Sequence, residues 1–156
     1  MTPRIEEISL HPGHGLAVRA TLAVDELPRF FGAAFGELAQ AVRANGVQFA
    51  GPPFARYHTH PPAPVEVEAI MPVTHPVEAL TGRVLLVRLE GGRALQVRHV
   101  GPYETMTPAY EALAAWMKEH GVRPSEDARE VYLTDPSVVP DPRRWETLIV
   151  QPIAPA

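Results

Sequence analysis

Apolar residues recur at helical spacing in two stretches of the chain. Phe31, Phe35, Leu38 and Val42 are spaced by four, three and four, one apolar stripe that predicts a helix from about Pro28 to Asn45. Asp25 is placed to cap its start, Pro28 suits the first turn, and Gly46 follows the last periodic residue. Met106, Tyr110, Leu113 and Met117 repeat the spacing and predict a second helix from about Met106 to His120, with Pro108 in its first turn and Gly121 behind it. Six runs with β-branched or aromatic residues, ending near Gly, Pro or Asp, predict strands: 16–23, 54–59, 65–71, 94–100, 128–134 and 146–153. A further strand is expected over 82–90, with Gly91-Gly92 as a hairpin turn into Ala94, and one more over 5–10.

The two helical stretches align on each other. At an offset of 75, Phe35 meets Tyr110, Leu38 meets Leu113, Val42 meets Met117, Gly46-Val47 meets Gly121-Val122 and Tyr57 meets Tyr132. Widening the offset to 80 pairs Val65-Glu66 with Trp145-Glu146 and Pro72 with Pro152, and 79 pairs Val18-Arg19 with Val97-Arg98. Each half then reads strand, helix, strand, strand. The expectation is a single α+β domain over 1–156, an internal repeat with halves of about 1–80 and 81–156. It would have an antiparallel sheet and both helices on one face.

At 156 residues the chain has the size of one domain, and its 18 prolines and 11 glycines make it rich in turns without making it low-complexity. Fourteen basic against 18 acidic residues give a net charge of -4, which argues against direct nucleic-acid binding. The absence of cysteine excludes disulfides, thiolate metal sites and cysteine nucleophiles. Glu6 and Glu7 stand where a signal peptide needs an apolar run, and runs such as Val84-Leu85-Leu86-Val87 are too short to span a bilayer. A cytoplasmic protein without membrane association is expected.

The run Arg98-His99-Val100-Gly101-Pro102-Tyr103-Glu104 precedes the second helix. It is followed by Arg129-Glu130-Val131-Tyr132-Leu133, then by Trp145-Glu146-Thr147 leading to Gln151-Pro152-Ile153. In this order and spacing the chain resembles the GyrI-like effector-binding domain. That module binds ligands in AraC- and MerR-type multidrug-responsive regulators and also occurs in gyrase-modulating proteins. The first half matches through Gly51-Pro52-Pro53 and Tyr57. The resemblance implies two strand-helix-strand-strand units related by a pseudo-twofold axis with a ligand groove between the halves. It further implies bulky aromatic or cationic ligands, and a buried glutamate at Glu130 as the main electrostatic contact. Regulators of this type add a helix-turn-helix domain for which 156 residues leave no room, so a stand-alone member is expected.

Alternation on the strand 128–134 places Ala128, Glu130, Tyr132 and Thr134 on one face, and the residue aligned with Glu130 in the first half is Ala55. The architecture therefore does not demand a carboxylate there. On a desolvated face a bound cation would favour its charged form. Read from residues alone, Glu130 is a surface carboxylate paired with an arginine; the resemblance turns the balance toward a ligand contact. Tyr132, Trp145, Tyr57 and Tyr103 are the candidate ring walls. Tyr57 and Tyr132 divide evenly between core packing and groove lining, and Tyr103 either staples the helix start or points into the groove. Tyr110 and Trp116 read as core. His58 and His60 share a strand face and His11 and His14 share a turn, but no third ligand or His-Glu-x-x-His pattern accompanies them. Solvated histidines are expected, with no metal. No phosphate loop or serine elbow is present, no cofactor is implied, and Arg143-Arg144 reads as solvated.

Three functions follow in order. The first is a binding protein that senses or sequesters a hydrophobic, aromatic or cationic small molecule, as a transcription co-regulator or on its own. The second is a hydrolase of electrophilic cyclopropane-type natural products, with Glu130 as general base and Tyr132 or Tyr103 donating to the oxyanion. The third is a modulator of a protein partner such as a regulator or gyrase.

Overall fold

The computed structural model describes residues 3–59 and 64–155; the expected turn after His60, and His60 itself, fall outside the described residues. The elements run β1 (Glu6–Leu10), β2 (Gly13–Leu22), α1 (Leu27–Ala44), β3 (Phe54–Tyr57), β4 (Val65–Val73), β5 (Leu85–Leu89), β6 (Gly92–Val100), α2 (Thr107–His120), β7 (Arg129–Tyr132) and β8 (Glu146–Pro152). The class is α+β with antiparallel strands, as the periodicities predict.

The chain divides into two units. His11–Gly91 forms one, and β1 joins everything from Gly92 onward in the other. Within the first the strand order is β3-β4-β2-β5, and within the second β7-β8-β6-β1. Ala55 faces Ala69 and Tyr57 faces Val67 in the first unit, while Glu130 faces Ile149 and Tyr132 faces Thr147 in the second.

In the second unit α2 packs on β6 and β8. Met106, Ala109 and Leu113 close over Leu95, Val97, Ile149 and Ile153, a core in which each large aliphatic side chain contributes about 1.5–3 kcal/mol. In the first unit α1 lies on β4 and β2 and buries Phe30, Ala34, Leu38 and Val42. The expected stripe named Phe31 and Phe35 instead. Those two rings lie one position round the helix, half-buried and stacked on each other, with centroids 5.7 Å apart.

Two further expectations change. Asp25 does not cap α1: it lies in a single 3-10 turn, Val24–Glu26, where Glu26 Oε1 accepts from the Ala23 N–H at 3.0 Å. Gly91-Gly92 does not turn a hairpin, because β5 finds its backbone partners on β2, and β6 finds its own on β1 and β8. No helix among the described residues is long and apolar enough to cross a membrane.

Candidate functional site

Four of the five candidate residues come together in the second unit. Glu130 lies in the middle of β7, 8% exposed, on the face that α2 covers. Tyr132, two positions on, turns its hydroxyl back and donates to Glu130 Oε1 at 3.2 Å. The second phenol to reach the carboxylate is Tyr110 of α2, which donates to Glu130 Oε2. Tyr110 stands at a helical position that sequence spacing assigns to the core. Its ring does pack there, but its hydroxyl ends on the carboxylate.

Tyr103 and Trp145 complete the cluster. Tyr103 begins a single 3-10 turn between β6 and α2, and its ring stacks on Trp145 at 4.8 Å and meets Tyr132 edge-on at 5.6 Å. The turn is fixed from several sides. Gly101 donates its N–H to the Trp145 carbonyl at 2.8 Å, and the Pro102 carbonyl accepts from His99 Nε2 at 2.9 Å and from Thr105 Oγ1 at 2.7 Å. Gly101 has φ 132, a conformation that side chains disfavour, so glycine is the residue this approach requires. Trp145 is anchored at its other end by the indole N–H, which donates to the Val139 carbonyl at 2.6 Å. Burial, followed by the negative charges of Asp135 and Glu130, raises the Tyr103 phenol above its ordinary value, so it stays protonated at neutral pH.

The arrangement is a buried carboxylate hydrogen-bonded by two phenols, beside a wall of three stacked or edge-packed rings. Each phenol satisfies one lone pair of the carboxylate. Ring faces and a negative charge together favour an organic cation.

Tyr57, the fifth candidate, lies on β3 in the first unit. It meets Phe31 edge-on, with centroids 6.4 Å apart, as part of an aromatic group with Phe35. The first unit also holds a second buried carboxylate that sequence reading passes over. Glu68 on β4 is 2% exposed and is bound by Arg19 Nε at 2.9 Å, Arg56 Nη2 at 3.3 Å and His58 Nε2 at 2.6 Å. His58 is thus a hydrogen-bond partner of Glu68 and departs from the expected solvated side chain, because β-strand register carries it back toward Glu68. Burial pushes the Glu68 carboxyl up, but the Arg19, Arg56 and His58 contacts outweigh it and hold the carboxyl below its ordinary value. Among the described residues no three His, Asp or Glu side chains form a metal-binding group. Arg143 is exposed and bonds its neighbour Asp141.

The fold recurs in known structures at low identity. The crystal structure of the EcmrR C-terminal domain superposes with a TM-score of 0.86 at 19% identity, over 100% of each chain. In the EcmrR–DNA complex the TM-score is 0.87 at 20% identity, and this chain spans 59% of that longer one. A hydrolase from Listeria innocua matches at 0.69 and 19% identity, over 97% of this chain and 92% of its own. SAV2435 bound to tetraphenylphosphonium matches at 0.56 and 11%, over 99% and 94%. No curated protein sequence matches the chain. Its own sequence carries the assignment: matching from residue 1 to residue 154, it belongs to the family of GyrI-like small molecule binding domains.

Proposed function

We propose that this protein binds an aromatic, hydrophobic cation at the Glu130 cluster and thereby senses or sequesters it in the cytoplasm. The observation that carries the reading is Glu130 itself, a buried carboxylate among rings where the corresponding position of the other unit is Ala55. Tyr103, Tyr132 and Trp145 supply the ring faces, each cation–π contact being worth about 0.5–2 kcal/mol. Glu130 supplies the counter-charge. SAV2435 bound to tetraphenylphosphonium, a bulky aromatic cation, and the occurrence of the fold in EcmrR beside DNA support a sensing role that includes co-regulation of transcription through a separate partner. A regulator or gyrase is the class of protein partner this reading accommodates.

The test is thermal shift against a panel of aromatic cations, neutral polyaromatics and anions, with tetraphenylphosphonium among the cations. A ligand at 100 times its Kd adds about 2.7 kcal/mol of stability. Cations, and not anions, should stabilise the wild type, and Glu130→Gln should lose the response. Equal responses in the two proteins would remove Glu130 from the site.

A second reading has its own observation. Two phenols on one buried carboxylate also make a general acid–base group, and a hydrolase from Listeria innocua shares the fold. In that reading Glu130 removes a proton from water as the water oxygen bonds to a carbon of a strained electrophilic ring and the ring C–C bond at that carbon breaks; its electron pair passes to a conjugated oxygen of the substrate, and Tyr132 or Tyr103 donates to that developing oxyanion. Stoichiometric binding without turnover of a cyclopropane-containing electrophile would set this reading aside; multiple turnovers lost in Glu130→Gln would put it first.

A further inference from the structure

Thr147 on β8 is fully buried, and its hydroxyl has no hydrogen-bond partner among the described residues. A buried hydroxyl left without a partner is destabilising. Its position makes the cost informative. In the antiparallel register Thr147 stands directly opposite Tyr132 on one side and His99 on the other, so its side chain shares the α2-covered face with both. Glu130 is its diagonal neighbour across β7 and β8, at a separation of about 7–8 Å. Neither lateral neighbour serves the hydroxyl: the Tyr132 hydroxyl donates to Glu130, and His99 Nε2 donates to the Pro102 carbonyl. The fold does not need a hydroxyl there either. The corresponding residue of the first unit, facing Tyr57 as Thr147 faces Tyr132, is Val67, a side chain of the same shape and 1% exposed.

We infer that Thr147 is a specificity-determining residue of the Glu130 site, accepting a hydrogen bond from a protonated amine and so selecting aromatic ammonium ions that carry N–H groups over quaternary cations. The inference rests on the proposed binding function. Glu130 attracts any cation. Thr147, at the same depth in the sheet, distinguishes among them, because a donor beside the charge relieves its unmet hydroxyl and an N-methyl group does not.

Two probes of equal charge and ring system test it: 2-naphthylmethylammonium and its N,N,N-trimethyl analogue, titrated calorimetrically into wild type, Thr147→Val, Thr147→Ser and Glu130→Gln. Wild type should prefer the primary ammonium by about tenfold. Thr147→Val should lose that preference by weakening the ammonium alone, and Thr147→Ser should keep it. Thr147→Val should also melt at or above the wild-type Tm, since it removes an unsatisfied hydroxyl and leaves a shape the fold already uses at Val67. A lower Tm with unchanged probe affinities would mean the hydroxyl is satisfied within the fold, and would overturn the inference. Loss of both probes in Glu130→Gln with no discrimination lost in Thr147→Val would overturn it while leaving the binding function standing. Failure of both probes to bind wild type would take both down.

Discussion

The two units each bury a glutamate in a strand, Glu68 in β4 and Glu130 in β7, and the two are surrounded differently. Glu68 is ringed by Arg19, Arg56 and His58, which hold its carboxyl ionised. Glu130 is hydrogen-bonded by the phenols of Tyr110 and Tyr132 beside the Tyr103–Trp145 stack. They also lie on different faces. Glu68 faces Arg19 and Arg56 across β2 and β3, the register opposite to that of Val18 and Ala55, whereas Glu130 lies beneath α2. Charge neutralised by cations of the same unit is a structural use of a carboxylate. Glu130 is set among phenols and ring faces, the surroundings of the proposed ligand site. That contrast, more than burial alone, separates the candidate site from the scaffold.

The largest effect should fall on the scaffold glutamate. Glu68→Gln leaves two guanidinium groups and the His58 ring around a neutral amide, and urea unfolding should report a loss of about 2–3 kcal/mol, at the lower end for buried pairs because Arg19 and His58 reach solvent. An unchanged denaturation midpoint would erase the contrast from its structural side.

The pH dependence follows from the same residue. The folded-state carboxyl of Glu68 lies below the ordinary 4.5, so its contribution is fully present above that pH and is lost as pH falls through the depressed value. Stability of the wild type should therefore drop more steeply below about pH 4.5 than that of Glu68→Gln. Parallel curves from urea midpoints at pH 3–7 would show that Glu68 titrates alike in both states.

Smaller effects belong to the phenols. Tyr110→Phe removes the hydroxyl that reaches Glu130 from α2 and should cost about 1 kcal/mol, while Tyr132→Phe, losing a bond of 3.2 Å, should cost less. If Tyr132→Phe proved the more damaging in thermal unfolding, the roles of the two phenols would be reversed.

Much of the fold was legible before the structure. Helices and strands followed from periodicities of 3.6 and two. The resemblance drew attention to Glu130, with its alignment to Ala55 beside it, and residue reading drew attention to Tyr132, Tyr103 and Trp145. What escaped was chemistry that depends on contacts between elements. Tyr110 sits on an apolar stripe, and nothing in helical spacing tells where its hydroxyl ends. Glu68 gains meaning only when strand register sets Arg19 and Arg56 on either side of it. Gly91-Gly92 has the composition of a hairpin turn, yet joins two units, because pairing partners are chosen at long range. Thr147 had a visible signal, its alignment with Val67 at the offset of 80, but a threonine on a strand draws no notice until its hydroxyl is seen to lack a partner.

The most direct test of the account is the affinity of 2-naphthylmethylammonium for wild type and Glu130→Gln, measured by calorimetry with the urea stability of both proteins determined alongside. The account predicts saturable binding to wild type, at least a tenfold weaker Kd in Glu130→Gln, and stabilities within about 0.5 kcal/mol of each other, because one phenol can donate to the amide oxygen while the other accepts from the amide N–H. Equal affinities, or a variant as destabilised as Glu68→Gln, would place Glu130 in the scaffold and contradict the account.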